Sequence, residues 1–516
     1  MFENYLKLNH EFSKIEKKPL ILLSIIFIFG LMIRLYYVPY DLPIILDGFN
    51  GYTLYALDIS ILGHLPNYFI NQSGWPEFLS IFFMNFHSDN LMEYMNLQRT
   101  ISVVLSSLTI IPVYYICKKF FNPTFSLIGS IIFTFQPFLI INSTLGVSEP
   151  LYIFVISVGI LFFLNSNKIF IFSSFGLIAW ATIIRPEGQF WFYAFSIIYF
   201  LRFRKSRKEL LMYLLCLGIF LIVLSPIVVH RIQCCENDGI IGRVLGELNN
   251  YESFSSEIDN PSKIISYGPD YYNGVKLFVW SLIPVFIIFV PIGLFEILRN
   301  KRFQELILIF IPMVILTIII YSISIAPDTR YVYTLFPIFS VISIFGIKYI
   351  TRGLTKKKYI FLIIGVIILS SILFLEYKKI DYSDEYEVYE ISKIIIKDNE
   401  GINKGSKISQ FVKNIEIQNK WPIIEYTGRL SESYQIKRFT TSGFTNLEDF
   451  LEHEKERGLT HLIIDKNSVL PKFLRDVYDD EKNYPYLIKE YDSEEYDYNY
   501  LVKKFKINYD IFQKHN

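Results

Sequence analysis

Asp47 opens the chemistry of this chain. It stands in "LPIILDGFNGYTLYALDI" (residues 42–59), just beyond a long apolar run, and the next Lys or Arg after it is Arg99. A carboxylate with no cation near it in sequence and with many aromatic neighbours suits a general base that takes a proton from an acceptor hydroxyl or amide. A helix cap or a solvated loop Asp is the alternative. Asp58, in the same stretch, is a weaker candidate.

Further acids and guanidinium groups recur at the ends of apolar runs. Glu149 sits in "NSTLGVSEPLY" (142–152), where Pro150 marks a helix start and the helix dipole favours an acid. Arg185 and Glu187 flank a proline in "IIRPEGQFW" (183–191). A Pro-led helix start beside an Arg makes an anion site, although Arg and Glu also pair with each other in such a turn. His230 and Arg231 close "SPIVVHRIQ", and "APDTRYVYTLFP" (326–337) brings Asp328, Arg330 and Tyr331 together. The planar fork of Arg suits bidentate phosphate contact; snorkelling from a membrane span is the competing role for Arg231 and Arg330. "GWPEF" (74–78) adds Trp75, whose ring is suited to stack on a sugar, and Glu77. Asn71–Ser73 and Asn142–Thr144 match the N-glycosylation tripeptide, which is common by chance.

The elements that must position these groups are membrane helices. Of 516 residues, 52% are hydrophobic and 19% charged, below the charge of an ordinary soluble protein. The net charge of +1 gives no field that would attract nucleic acid. The four cysteines do not read as a disulfide framework: Cys117 and Cys216 lie in apolar runs, and Cys234 and Cys235 are adjacent. About 11 spans are expected, each near the 20 residues that cross a bilayer: 19–38, 100–117, 124–142, 147–164, 169–184, 189–201, 210–230, 277–297, 304–324, 331–350 and 359–376. The first has a basic flank and no cleavage site, and reads as an uncleaved anchor.

Lys and Arg gather in alternate segments, around Lys14–Lys18, Lys118–Lys119, Arg202–Lys208, Arg299–Arg302 and Arg352–Lys358. By the positive-inside rule these are cytoplasmic. The loops at 39–98, 143–149, 231–276 and 325–330, and the C-terminus, then lie outside the membrane, with every candidate group above. Within the first of these loops, residues 48–66 read as an amphipathic helix along the membrane, with Tyr52, Tyr55 and Ile59 on one face.

From residue 377 the composition turns charged and Tyr-rich. Thr445 with Glu448 predicts a capping box and Gly458 a helix stop. "THLIID" (460–465) reads as a buried strand, 471–480 as a helix opening on Pro471, and 500–508 as a closing strand. Two domains are expected: residues 1–376, a multi-pass helical domain, and 377–516, a small extracytoplasmic α/β domain acting as a lid or an acceptor-binding platform. The fold class is thus mostly α, a polytopic helical membrane protein.

Over about residues 19–350 the chain resembles the GT-C superfamily of membrane glycosyltransferases, in particular its protein O-mannosyltransferase and aminoarabinose-transferase-like branch. The resemblance rests on Asp47 after the first span, "SEPLY" (148–152), "RPEG" (185–188) and "DTRY" (328–331), in that order and on one side of the membrane. It implies a sugar, mannose or another hexose or pentose, carried on a polyprenyl or dolichyl phosphate. It also implies transfer with inversion in one displacement, with Asp47 as base and a protein, lipid or glycan as acceptor. Much of the mannosyltransferase branch has Asp-Glu where this chain has Asp47-Gly48, which leaves the broader class, and the Trp-Trp-Asp motif of the oligosaccharyltransferase branch is absent from the sequence. Arg185, Arg231 or Arg330, with Tyr331 beside the last, would stabilise the leaving phosphate. Glu149, Glu187 and Asp328 are supporting acids, and Trp75, Tyr52 and Tyr55 are substrate contacts. A divalent metal, Mg or Mn, is permitted by the outer carboxylates, but no spacing demands it. The competing class is a transporter or lipid flippase, which would place ionisable groups in mid-span; here they cluster at span ends.

Overall fold

The structure is a computed structural model that describes residues 17–45, 48–68, 70, 72–165, 167–203, 207–235, 271–300, 329–353, 358–378, 382–396, 411, 412, 415, 417, 444–466 and 471–515. The chain divides into two units. One holds Met1–Val38, Pro66–Phe78 and Gln98–Ile380; the other holds Pro39–Leu65, Leu79–Leu97 and Asp381–Asn516.

The first unit is built of apolar helices. α1 (Lys17–Tyr36) is followed along the chain by α2 (Leu54–Leu62), α3 (Gly74–Phe83), α4 (Leu91–Leu108) and α5 (Ile110–Lys118), of which α2 is assigned to the second unit and α3 and α4 in part to each. Then come α6 (Pro123–Thr134), α7 (Pro137–Thr144), α8 (Glu149–Phe163), α9 (Lys168–Ile184), α10 (Gly188–Phe203) and α11 (Arg207–Cys235). α12 (Tyr271–Ser281), α13 (Phe286–Asn300), a 3-10 turn (Thr329–Leu335), α14 (Phe336–Ile350) and α15 (Lys358–Tyr377) complete it.

Among the described residues five stretches are long and apolar enough to cross a membrane: Lys17–Tyr36, Leu91–Lys118, Arg207–Cys234, Thr329–Ile350 and Ile360–Tyr377. Two bent pairs, Pro123–Thr134 with Pro137–Thr144 and Val275–Ser281 with Phe286–Arg299, make the number 7 if each pair is one span. α8, α9 and α10 are shorter apolar helices. Every expected span falls on one of these, save 304–324, which lies outside the described residues. α1, α11 and α15 leave bands of large apolar side chains exposed, among them Phe29, Ile222 and Phe361. Such bands face hydrocarbon in a polytopic membrane protein. α13 and α14 cross closely: a Cβ on Gly293 would lie 2.0 Å from the Ile342 carbonyl oxygen. Small residues let membrane helices approach in this way.

Arg34 is a buried cation outside the expected set. Arg34, near the end of α1, is wholly buried, with its Nε donating to Ser106 Oγ at 3.0 Å and Nη1 to the Gly30 carbonyl at 2.8 Å. Cys117 and Cys216 are free and buried, whereas Cys234 is disulfide-bonded.

The second unit contains the C-terminal domain: α16 (Ser383–Ile395), α17 (Leu447–Lys455), β1 (His461–Asp465), α18 (Lys472–Asp479), β2 (Leu487–Asp492), β3 (Val502–Ile507) and α19 (Tyr509–His515). The sheet is antiparallel in the order β1-β3-β2, with Ile463 opposite Lys504 and an irregularity between Lys489 and Tyr491. β1 is buried at all five positions because both its faces are covered. Leu462 and Ile464 join a core with Phe450 of α17, Leu474 of α18 and Phe512 of α19. Ile463 points the other way, to Val388 and Ile391 of α16. The period of two along a strand divides the residues between the two cores.

Two local expectations are corrected here. α17 is capped by Asn446, whose Oδ1 accepts from the Asp449 N–H at 2.8 Å, so the helix begins one residue later than a Thr445 cap requires. Residues 48–66 do not form an amphipathic surface helix. Gly48–Thr53 is a π-helical turn, closed by Thr53 Oγ1 donating to the Gly48 carbonyl at 2.9 Å, and α2 follows it. Leu54 through Ile59 are all buried, Asp58 included. A helix that is apolar all round is buried rather than laid on a surface.

Candidate active site

The ends of α8 and α9 and the turn before α14 bring the charged groups of the first unit together. α9 stops at Arg185, whose backbone is extended and whose N–H still reaches the Ala181 carbonyl at 2.8 Å. Pro186 cannot extend the helix. The chain turns with the Gly188 N–H on the Arg185 carbonyl at 2.9 Å and re-enters α10. Two glycines close on this helix end. A Cβ on Gly188 would lie 2.5 Å from the Thr182 nitrogen, and one on Gly74 would lie 2.7 Å from the Ile184 nitrogen.

So held, Arg185 spreads its guanidinium over several partners. Nη1 donates to Glu149 Oε1 at 2.6 Å and lies 3.4 Å from Ser148 Oγ; Nε is 3.4 Å from Glu187 Oε2. Its Cζ stands 5.6 Å from the centre of the Tyr331 ring, within cation–π range. Arg330, on the 3-10 turn, places Nη1 3.4 Å from the same Glu149 oxygen. Glu149 is the first residue of α8 and its side chain is 2% exposed, against 33% for Arg330. Its second oxygen, Oε2, is buried with no hydrogen-bond partner among the described residues. The turn that carries Arg330 is tied to α10 by Trp191 Nε1 donating to Thr334 Oγ1 at 3.2 Å. The loop ahead of Glu149 is fixed at Gly146, whose carbonyl accepts from Trp75 Nε1 at 3.1 Å and Gln98 Nε2 at 2.6 Å.

A second charged cluster surrounds Arg231. Its Nη2 donates to Ser73 Oγ at 3.0 Å, and His230 Nε2 lies 3.1 Å from the Pro66 carbonyl oxygen. Glu77 shares Ser73 with Arg231, and burial pushes its carboxyl above the usual range despite Arg231 and His230 nearby. The two clusters meet in a dipeptide. Ser148 Oγ donates to Gln72 Oε1 at 3.1 Å, and Gln72 is bonded in sequence to Ser73.

The sequence-derived candidates therefore sort as follows. Glu149, Arg185, Glu187, Arg330 and Tyr331 converge. Arg231 is seated in the neighbouring cluster, on Ser73. Trp75, Tyr52 and Tyr55 are buried and present no open ring face for a sugar to stack on, and Trp75 spends its N–H on Gly146. Asn142 and Ser73, from the two glycosylation tripeptides, are buried as well. Asp47 and Asp328 lie outside the described residues. Gln98 and Thr334 carry no sequence signal beyond being polar residues in apolar surroundings, and Ser148 and Gln72 fall within quoted motifs without being candidates themselves. Among the described residues no group of three His, Cys, Asp or Glu is arranged to hold a metal ion. A divalent cation of the Mg or Mn kind needs several oxygen ligands, and no step is assigned to a metal.

No protein-family model matches the chain, and no curated protein matches it. Solved structures do. The oligosaccharyltransferase of Archaeoglobus fulgidus in its apo form superposes with a TM-score of 0.52 at 11% identity, over 87% of this chain and 69% of that one. The same organism's oligosaccharyltransferase AglB in complex with an inhibitory peptide and a dolichol-phosphate gives 0.50 at 11% identity, over 86% and 69%. ArnT of Cupriavidus metallidurans bound to undecaprenyl phosphate gives 0.54 at 10% identity, over 93% and 97%. The chain thus has the GT-C fold, a polytopic helical membrane protein with a small C-terminal sheet domain.

Proposed function

We propose that this protein is an integral-membrane glycosyltransferase. It moves a sugar from a polyprenyl- or dolichyl-phosphate donor to a protein, lipid or glycan acceptor on the outer face of the cell membrane. The observation that carries this reading is the convergence of Arg185 and Arg330 on the buried carboxylate of Glu149. Two guanidinium groups oriented by one acid, with Arg330 partly open to solvent, suit an anionic ligand such as a phosphate ester. The bound lipids of the two structural neighbours, dolichol-phosphate in one and undecaprenyl phosphate in the other, support a donor of the same chemistry.

In the proposed displacement an acceptor oxygen or nitrogen bonds to the anomeric carbon as the bond from that carbon to the phosphate oxygen breaks, with inversion. The acceptor proton passes to Asp47, and the lipid phosphate leaves with its new charge facing Arg330 and Arg185. Glu149 holds both cations in place and, with Glu187 and Tyr331, keeps their field fixed, so little reorganisation is needed as charge develops; Asp328 is a further supporting acid by sequence. Mannose is one candidate sugar within this class.

The test is transfer by the purified full-length protein in lipid nanodiscs, against a panel of polyprenyl-phosphate sugars with and without divalent metal, read by mass spectrometry. One donor should be consumed, and Asp47→Asn should lose transfer by roughly 100- to 10,000-fold, the range of general-base catalysis, with normal insertion. A folded protein that consumes none of the donors would end the proposal.

A further inference from the structure

The second unit joins the C-terminal domain to a distant part of the sequence. Leu42, 2% exposed, belongs to one buried cluster with Val388, Ile391 and Ile395 of α16 and with Ile463 and Val502 of the sheet. Ile45 packs against the same cluster. Polar contacts fix the stretch from its other side: the Ile44 N–H donates to Met95 Sδ at 3.1 Å, and Asn96 Nδ2 donates to the Tyr40 carbonyl at 3.0 Å. Residues 40–45 are thus clamped between the start of α4 and the core of the C-terminal domain. Past the two undescribed residues the chain is fixed again, by the closed turn at Gly48 and the buried α2.

A clamp of this kind fixes backbone position two residues from Asp47. Its side chains are apolar or, in Asn96, a neutral amide, so it does no chemistry of its own. α16 lies more than 300 residues further along the chain than Leu42, which the contact needs and a separable lid or acceptor platform does not. We infer that the C-terminal domain is a positioning element for the first outer loop, acting through Leu42 and Ile45 against Val388 and Ile391, and that transfer depends on it for that reason. This rests on the proposed role of Asp47 as base.

The experiment uses the full-length protein in nanodiscs, with Leu42→Ala on the loop side, Ile391→Ala on the domain side, and Leu42→Ile as the conservative rescue. Leu474→Ala is the control: it damages the opposite core of the same sheet, which Leu42 does not join. Hydrogen exchange is read on peptides covering 39–53 and 183–191. Leu42→Ala and Ile391→Ala should raise exchange in 39–53 and leave 183–191 protected. They should lower kcat on the order of 100-fold, the effect of a small misplacement of a reacting group, with KM little changed. Leu42→Ile should restore most of it, and Leu474→Ala should leave kcat within about threefold, because a surviving fold keeps the clamp. Unchanged exchange in 39–53 overturns the clamp. Raised exchange there with unchanged kcat overturns its role in positioning. An active Asp47→Asn removes the base assignment alone, because the exchange result is read without reference to activity.

Discussion

Glu149 and Arg185 lie 2.6 Å apart at opposite kinds of helix end, the acid on the first residue of α8 and the guanidinium just past the last residue of α9. The N-terminus of a helix favours an anion and the C-terminus a cation, so each dipole supports the charge set against it. Burial makes the pair consequential. Two charges removed from water are costly unless they satisfy each other, and loss of one partner leaves the other uncompensated.

Glu149→Gln should therefore destabilise the protein by about 3–5 kcal/mol, because two guanidinium groups lose their counter-charge. The check is a lower melting temperature in detergent. Arg185→Lys keeps the charge and loses the planar fork, and should cost on the order of 100-fold in transfer. Arg330→Ala separates the two effects. Its side chain is a third exposed, so its ion pair should contribute under about 1 kcal/mol to folding, while transfer falls as far as in Arg185→Lys. Arg330→Ala with full activity would remove that residue from donor binding.

Gly188→Ala should act on the same site from behind. The new methyl would meet backbone atoms of Thr182 and Ala181 at 2.5 and 2.7 Å, in the last turn of α9. Backbone cannot swing aside as a side-chain tip can, so a loss of about 1–3 kcal/mol is expected, together with lower transfer as Arg185 shifts. Gly51→Ala is the comparison, because nothing lies within 4 Å of its Cβ position; it should stay within about 0.5 kcal/mol of the parent.

His461 gives a pH signature to the C-terminal domain. Burial holds its imidazole below the ordinary value of 6.5, with Lys504 and Lys506 acting in the same direction and Glu490 against them. The folded state then binds fewer protons than the unfolded state in the window between the lowered value and 6.5. Stability rises with pH across that window and levels off above it. Urea melts followed by hydrogen exchange of β1 should show lower stability at pH 5 than at pH 7, and His461→Gln should flatten the difference. An unchanged slope would assign the pH dependence to other groups.

Much of this architecture was legible in the sequence because membrane helices write long, unambiguous apolar runs. Glu149, Arg185 and Arg330 stood out as charged residues at the ends of such runs, and packing brings them together. Arg231 was harder. Sidedness grouped it with the other two, but only packing distinguishes the Ser73 and Glu77 cluster from the one at Glu149. Residues 48–66 read as an amphipathic helix because Tyr52, Tyr55 and Ile59 share a face, and Trp75 as a sugar contact because of its ring; the sequence alone does not tell such residues at a membrane surface or a site from ones buried in a core. β2 escaped notice because "LIKEYD" exposes its three central residues and is interrupted by an irregularity, so its alternation is weak. That Leu42 shares a buried cluster with residues of α16 left no trace in any local pattern, because the cluster joins parts of the chain far apart in sequence.

Arg34 bears on how such a chain is made. Its Ser106 partner lies 72 residues further along, so α1 leaves the ribosome before that hydroxyl exists. Until then the guanidinium has only its own helix's Gly30 carbonyl to satisfy it, at a site where hydrocarbon penalises a bare cation. The buried setting of Arg34 is thus complete only once the segment bearing Ser106 has been made.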